Sequence, residues 1–347
     1  MPLPELSERE RRVLEAVIES YVETAEPAGS RTLSRRFGLG VSPATIRNTM
    51  SDLEEKGFLF HPHTSAGRVP TDMGYRVYVD SLMRRPPLLT PERDRLTEQI
   101  SSAGSAIESI LRRAAQSLGV ITQELGVALA PRLEAAVLRR LELVRMSSDR
   151  VLIVLTLDGG AVRTIFVETS GAIADDALAE VALVLNERLA GLTMREIRTT
   201  LGARLRDTSR RLGASELLNV FIEEGEQLFD VNLGVDAGGV VLGQASLLAD
   251  QPEFASGDSL RKLMALTETR QHLADLLRKR STLPGISITI GNEHADPKLE
   301  SFTVVTAEYK VGALTGVIGV IGPTRMPYEK VIALVNHTSR LVTDLLD

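Results

Sequence analysis

One short segment of the chain carries side chains that can read nucleobases, spaced along a single face of a helix. The segment runs over residues 42–53, and its polar face consists of Ala44, Arg47, Asn48 and Ser51. An arginine can pair with guanine, an asparagine with adenine, and an alanine methyl group can meet the methyl group of thymine. These four residues are therefore predicted to contact bases from a helix that enters a DNA major groove.

The sequence also marks where this helix begins, where it ends and what precedes it. Ser42 suits the N-cap position, Pro43 suits the first helical position, and Gly57 is placed to end the helix. The opposite face carries an apolar stripe that we expect in a core: Ile46, Met50 and Leu53. A short helix opening at Ser30 and a turn containing Gly38 come first, so the pattern predicts a helix-turn-helix.

The distribution of charge supports this interpretation. The chain has a net charge of −6, yet residues 31–47 contain four arginines and no acidic residue. A cationic stripe on an acidic body is typical of an oriented phosphate footprint. Three of these arginines are expected to contact phosphates: Arg31, Arg35 and Arg36. For Arg35 or Arg36, an ion pair with Glu54 or Glu55 stays open as an alternative.

Two further groups are expected against the DNA backbone. Ser42 and Thr45 lie beside the free N–H groups of the helix start, where phosphate binding is favoured, although capping alone could explain them. After the helix, residues 58–70 predict two short β segments around a polar tip, which is a wing. Four wing residues are expected to touch backbone or minor groove, although any turn needs glycine and small polar residues: His63, Thr64, Ser65 and Arg68.

Length and composition are those of an ordinary globular protein. The 347 residues predict two or three domains, with 43% hydrophobic and 25% charged residues. No apolar run approaches the ~18 residues that span a bilayer, and the first seven residues lack the layout of a secretory signal. The absence of cysteine excludes disulfides, thiolate metal sites and thiol catalysis. We expect a cytoplasmic protein with no membrane partner.

Signatures of catalysis and of cofactor binding are missing from the sequence. Three histidines are scattered along its second half: His272, His294 and His337. His61 and His63 have neither a cysteine nor an acidic neighbour to complete a metal site. The glycine-rich residues 238–243 lack both the Lys-Ser/Thr of a phosphate loop and the spacing of a dinucleotide fingerprint. We expect no catalytic residue, no cofactor and no metal.

The rest of the chain predicts an α+β multidomain protein. Three prolines within residues 84–91 mark the clearest domain boundary, and a long helix that includes Leu125 is expected over about residues 105–128. Three strands are predicted next: Leu138 to Met146, Val151 to Leu157 and Val162 to Glu168. After a helical block over about residues 175–279, three strands return: Ile286 to Ile290, Phe302 to Val311 and Leu314 to Ile321. With a closing helix at 328–346, the pattern favours one sheet interrupted by an insertion.

Three segments resemble the heat-inducible transcription repressor HrcA family. They are PHTSAGRVPTDMGYR over residues 62–76, LADQPEF over residues 248–254 and VIGVIGPTRM over residues 317–326. The resemblance therefore reaches from the wing to the end of the chain. It implies an N-terminal winged helix-turn-helix, a GAF-like α/β sheet domain and an inserted, mainly helical dimerising domain.

The resemblance also implies domain limits and a function. The expected limits are 1–85 for the DNA-binding domain, 86–104 for a linker, 105–172 with 281–347 for the GAF-like domain, and 173–280 for the dimerising insertion. A protein of this family represses class I heat-shock (groE- and dnaK-type chaperone) operons by binding an inverted-repeat operator, the CIRCE element, as a dimer. The GroE chaperonin keeps such a repressor active.

Two other functions stay open at this point. The sheet domain could be a metabolite sensor joined to the DNA reader, and a ligand that shifts melting temperature and operator affinity together would favour that. Alternatively, the chain could be an enzyme tethered to DNA, which the missing nucleophile, metal and phosphate motifs disfavour.

Overall fold

The computed structural model of the protein describes residues 5–63, 67–83, 88, 90–103, 107–131, 133–158, 162–168, 174–209, 220–221, 229, 239–281, 284–312 and 314–346. Its elements form three units of mixed α and β structure. The first unit is N-terminal, the second is built on a five-stranded sheet, and the third on a separate three-stranded sheet. The α+β class predicted from the sequence is confirmed.

The N-terminal unit has the element order predicted for a winged helix-turn-helix. Its elements are α1 (Glu8–Thr24), α2 (Ser30–Arg36), α3 (Pro43–Glu55), β1 (Leu59–Phe60), β2 (Val69–Pro70) and α4 (Asp72–Val77), which continues into a π-helical turn (Tyr78–Leu82). A capping box between Ser7 and Glu10 starts α1, as the sequence predicts. The predicted apolar stripe of α3 is buried against α1 and α2: Ile46, Met50 and Leu53.

The prediction of a linker over residues 86–104 is wrong for most of that range, because the range contains helix α5 (Thr90–Ser101). Leu96 and Ile100 are fully buried where α5 packs against α6 (Ile107–Thr122) and the last helix, α12 (Tyr328–Leu346). Two apolar residues in twelve make a weak periodic signal, so only the tertiary contacts show why this polar segment is helical.

The five-stranded sheet of the second unit is antiparallel throughout. Its strands are β3 (Leu125–Leu129), β7 (Val240–Leu242), β8 (Ile286–Ile290), β9 (Phe302–Val311) and β10 (Leu314–Pro323), in the order β7-β3-β10-β9-β8. Helices α6 and α12 cover one face. The other face is covered by α9 (Ser246–Ala249), α10 (Gly257–Glu268) and α11 (Arg270–Arg280). Both faces are therefore buried.

Strand β3 corrects the helix expected over residues 105–128. Helix α6 ends at Thr122, Gln123 takes a positive φ of 62°, and Leu125 lies in the strand. All five residues of β3 are buried, so the strand shows no alternation that would distinguish it from a helix. Gly126 allows close packing, because a Cβ there would lie 1.8 Å from the carbonyl oxygen of Ala115 in α6.

The third unit corrects the predicted strand pairing and the predicted insertion. Among the described strands, its three pair with one another and with no other strand, in the order β4-β5-β6: β4 (Leu138–Arg145), β5 (Arg150–Leu157) and β6 (Val162–Glu168). Helices α7 (Asp175–Leu189) and α8 (Met194–Ser209) complete the unit, with α7 packed on β4. The separate unit therefore includes β4 to β6, which were expected in the main sheet. Conversely, β7, α10 and α11 lie on the main sheet although they fall within the expected insertion at 173–280.

Candidate nucleic-acid interface

The turn between α2 and α3 sets the direction in which α3 projects. Gly38 and Gly40 have φ values of 54° and 70°, a left-handed conformation that glycine adopts without strain. Leu39 between them is buried, which holds the turn against the domain core. Helix α3 therefore leaves the core at a fixed angle, with its polar side turned outwards.

Local chemistry fixes both ends of α3. At the start, the Ser42 Oγ accepts the Thr45 backbone N–H at 3.1 Å, and Pro43 occupies the first turn. At the end, the N–H groups of Gly57 and Phe58 donate to the carbonyls of Glu54 and Leu53, each at 2.9 Å. This pair of bonds, with Gly57 at a φ of 83°, is a Schellman motif. The predicted N-cap, Pro43 position and glycine stop are confirmed.

The predicted base-reading residues share one side of α3. Ala44, Arg47 and Asn48 are exposed, and Ser51 is half-buried with its hydroxyl donating to the Arg47 carbonyl at 3.2 Å. Within the described ranges, neither the Arg47 guanidinium nor the Asn48 amide has a hydrogen-bond or ion-pair partner. Exposed polar side chains without a partner are available to bind a ligand, and the Arg47 guanidinium adds a positive charge.

The three arginines of α2 are all exposed but differ in their contacts. The Arg35 Nε donates weakly to the carbonyl of Arg31, at 3.4 Å. Arg36 forms an ion pair with Glu23 of α1, and its guanidinium lies 5.4 Å from the centroid of the Phe37 ring. Arg31 and Arg35 thus carry the less compensated charge.

The ion pairs that the sequence suggested for these arginines do not form. Arg36 pairs with Glu23, because the end of α2 lies beside the end of α1. Glu54 is occupied by Arg68 of the wing, whose Nη2 lies 2.7 Å from its carboxylate. Helical spacing could not predict these two ion pairs, because each joins residues of separate elements.

Ser42 and Thr45 lie at the start of α3, as predicted. Their hydroxyl oxygens are 2.9 Å apart, and Ser42 is exposed while Thr45 is half-buried. The first-turn N–H groups of a helix attract anions through hydrogen bonding and the helix dipole. The geometry suits both roles proposed for this pair, capping and phosphate binding.

The wing is short and is tied to the rest of the domain by Arg68. Its strands pair Leu59 with Pro70 and Phe60 with Val69. The backbone of Arg68 exchanges two hydrogen bonds with Ala28, at 2.9 and 3.0 Å.

The outer wing is described only in part. The side chain of Arg68 is 14% exposed, lying between Glu54 and His61. His63 is exposed, whereas Thr64 and Ser65 fall outside the described residues. Arg68 is therefore placed to hold the wing against α3, and a DNA contact from it stays a prediction.

A second ion pair fastens the same, C-terminal end of α3 to a different element. The Lys56 Nζ lies 2.7 Å from the Glu10 carboxylate at the start of α1. The hydrogen bond from Lys56, followed by those from Ser7, lowers the pKa of Glu10 despite its burial. At neutral pH the pair is charged and holds the last turn of α3 to α1.

Two basic residues near this surface were overlooked in the sequence. Arg9 and Arg12 are exposed on α1 and border a depression shared with Val41 and Asp52, which flank and belong to α3. The available signal was a cluster of three arginines within the first five residues of α1. Their place beside α3 depends on how α1 packs, which spacing alone does not give.

The described part of the chain offers neither a metal site nor a membrane-spanning helix. No group of three or more histidine, aspartate or glutamate residues in those ranges could hold a metal ion. In the same ranges, no helix combines the length and the apolar character needed to cross a bilayer.

Comparisons with known proteins agree with the sequence resemblance over the full length. The family model described as the HrcA protein C-terminal domain matches residues 108–332. The chain is 41% identical to the heat-inducible transcription repressor HrcA of Chlorobium phaeobacteroides (strain BS1), covering 97% of both chains. It is 38% identical to the repressor of the same name from Geobacter sulfurreducens, covering 99% of both.

A solved structure supports the fold separately. A crystal structure of a hypothetical protein at 2.2 Å resolution superposes with a TM-score of 0.69, covering 98% of this chain and 100% of that one at 22% identity. At that identity the likeness concerns the fold alone. The family model and the full-length relatives together show that this chain belongs to the heat-inducible transcription repressor HrcA family.

Proposed function

We propose that the protein is a dimeric, sequence-specific repressor of class I heat-shock operons that binds an inverted-repeat operator of the CIRCE type. One observation carries this proposal: the outward face of α3 presents Arg47 and Asn48 without a partner among the described residues. Arg31 and Arg35 extend that face with positive charge. The name of the full-length relatives, heat-inducible transcription repressor, describes a regulator and not an enzyme.

The two sets of residues have different roles in this proposal. Ala44, Arg47, Asn48 and Ser51 read base edges, which gives sequence preference. The phosphate and wing set positions the domain on the duplex without reading sequence: Arg31, Arg35, Arg36, Ser42, Thr45, His63, Thr64, Ser65 and Arg68. To this set we add Arg9 and Arg12, which border the same surface. Arg36 contributes less than Arg35 because Glu23 already compensates its charge.

In this proposal, dimerisation uses the face of the β4-β5-β6 sheet whose apolar side chains are exposed among the described residues. The cross-strand row Val144, Leu152 and Phe166 lies in register on that face. Val162 is also exposed and follows Phe166 two rows along the same side of β6. Several large apolar side chains exposed together on one sheet face are typical of a protein–protein interface.

The occupant we propose for this face is a second copy of the chain. Two-fold symmetry would bring the same row from both protomers together and bury it. A two-fold dimer then presents two α3 helices about one duplex turn (~34 Å) or a multiple of it apart, which matches an inverted repeat. The separate three-stranded unit thus takes the role that the family resemblance gives to its dimerising insertion.

The main sheet and the GroE chaperonin also have a place in the proposed function. An antiparallel sheet covered by helices on both faces supports the GAF-like description of the second unit. We place the protein in the cytoplasm, where the GroE chaperonin maintains its active fraction. Adding purified chaperonin to an operator-binding assay should raise that fraction, and an unchanged fraction would contradict this link.

The direct test compares one base-reading and one phosphate-binding arginine. Arg47→Ala should cost about 1–3 kcal/mol of binding free energy on the preferred operator and flatten the preference at one base pair. Arg35→Ala should weaken binding to every sequence and reduce the slope of log K against log [salt] by about 0.9. Arg112→Ala, an exposed arginine of α6, serves as the charge-matched control. Equal losses on every sequence for both variants would refute the assignment of roles.

A further inference from the structure

The winged-helix domain is joined to the main sheet by an arginine from each side. From the DNA-binding side, the Arg76 Nε donates to the Glu293 carboxylate at 2.6 Å. Its Nη2 donates to the Ile288 carbonyl at 2.9 Å, and its Nη1 to Asp80 at 3.2 Å. Burial would raise the pKa of Glu293, but the bonds from Arg76 and the Ile290 N–H outweigh it and lower that pKa. The contact is a charged, multidentate pair.

Arg325 makes the corresponding contact from the side of the main sheet. Its Nη1 donates to the Val22 carbonyl at 2.8 Å, and its Nη2 lies 3.0 Å from the Glu253 carboxylate. Val22 lies in the last turn of α1, where carbonyl groups have no partner within the helix. The guanidinium thus caps α1 and is itself held in place by Glu253.

Two further contacts join the domain to the main unit. The Asn292 backbone N–H donates to the Asp72 carboxylate at 2.9 Å. This approach requires Gly291, because a Cβ there would lie 2.1 Å from that carboxylate oxygen. The rings of Tyr75 and Tyr328 pack with centroids 5.6 Å apart. The junction therefore combines directional hydrogen bonds with an aromatic contact.

The two arginine contacts lie on different elements, which restricts rotation of the domain. One contact holds α4 and the other holds the end of α1. Rotation of the winged-helix domain about either contact would therefore break the other contact. The three segments that singled out the family in the sequence also meet here. Residues 62–76 supply Arg76, residues 248–254 supply Glu253, and residues 317–326 supply Arg325.

We propose that Arg76 with Glu293, and Arg325 with Glu253 and Val22, fix the orientation of the reading helix and thereby determine the spacing between operator half-sites. This inference rests on the proposed function, namely dimeric binding to an inverted repeat. Each added base pair separates the half-sites by about 3.4 Å and rotates one against the other by about 35°. A domain held at a fixed angle cannot follow that change without deforming the DNA.

The test measures the affinity of the full-length dimer for operators whose spacer is altered by −2 to +2 base pairs. The double variant Arg76→Met with Arg325→Met removes both guanidinium contacts but keeps the length of each side chain. Glu293→Gln is the milder variant, and Arg112→Met is the control for loss of an exposed arginine. Circular dichroism and sedimentation confirm that each variant is folded and dimeric.

For the wild type and the control, a change of one base pair should lower affinity on the order of tenfold or more. For the double variant the loss should be less than about threefold, because the reading helices can reorient instead of the DNA. Glu293→Gln should lie between these limits. In all variants the base preference within a half-site should be unchanged, since α3 is untouched.

If the spacer profile of the double variant runs parallel to that of the wild type, this inference is overturned and the proposed function is not affected. If the double variant does not fold, the spacer profile of Glu293→Gln is the test. A profile flatter than that of the wild type would support the inference, and a profile parallel to that of the wild type would overturn it. A wild type that prefers no inverted repeat would overturn the proposed function itself. The two failures are therefore distinguishable in one experiment.

Discussion

Phe166 offers the sharpest test of the proposed dimer interface. Its side chain is 66% exposed on the open face of the three-stranded sheet, opposite Leu152 of the neighbouring strand. Fully burying a phenylalanine contributes about 1.5–3 kcal/mol, so burying the exposed two-thirds contributes about 1–2 kcal/mol. A two-fold interface contains the residue twice, which gives about 2–4 kcal/mol per dimer. Phe166→Ser should therefore raise the dimer dissociation constant about 30- to 1,000-fold.

Sedimentation velocity over a series of protein concentrations measures this constant directly. Leu183→Ser is the matched control, because Leu183 is 69% exposed but lies on α7, in the helical layer of the same unit. Both substitutions remove a side chain that is exposed in the protomer, so circular dichroism should show the wild-type secondary structure for each variant. A dimer that Phe166→Ser leaves intact while Leu183→Ser dissociates it would place the interface on the helices and refute the reasoning.

Three further predictions concern stability. Glu124 is 2% exposed and burial raises its pKa, so the free energy of unfolding should fall as pH rises above the ordinary carboxyl pKa of about 4.5. Glu124→Gln should reduce that fall, measured as melting temperature at pH 5 and pH 8; equal slopes would contradict it. Gly126→Ala should prevent stable folding of the main sheet, judged by circular dichroism, because the added methyl group meets the Ala115 carbonyl. Ser42→Ala should cost about 0.5–2 kcal/mol in urea denaturation through loss of the bond to the Thr45 N–H, and a negligible change would show that the cap is dispensable.

The elements of the DNA-binding domain were predictable because their signals are local. The capping box at Ser7, the Ser42-Pro43 start and the Gly57 stop each depend on a few neighbouring residues. The outward side of α3 follows from the same periodicity that buries Ile46. Local signals of this kind locate a helix and its polar face without knowledge of the partner elements.

Strand pairing was not predictable, because alternation locates a strand but does not choose its neighbour. The strands at 138–168 and at 286–323 have similar patterns, yet they form separate sheets. Strand β3 completes the main sheet, but its five buried residues resemble the end of a helix. The error in the expected domain limits follows from these two points.

Long-range ion pairs were the second part beyond the reach of the sequence. Glu23 is thirteen residues from Arg36, and Glu293 is 217 residues from Arg76. Each pair depends on how whole elements pack. The segments that contain Arg76, Glu253 and Arg325 stood out in the sequence only through the family resemblance, and their shared position became evident only from the fold.

A photo-crosslinking measurement tests most directly whether α3 reads DNA. A photo-reactive amino acid is introduced at position 48, in place of Asn48, and separately in place of Leu183, an exposed residue of α7 in the three-stranded unit. This role of α3 predicts crosslinks from position 48 to bases of the operator, which unlabelled operator suppresses and unrelated DNA does not, with none from position 183. Specific crosslinks from position 183 and none from position 48 would contradict it.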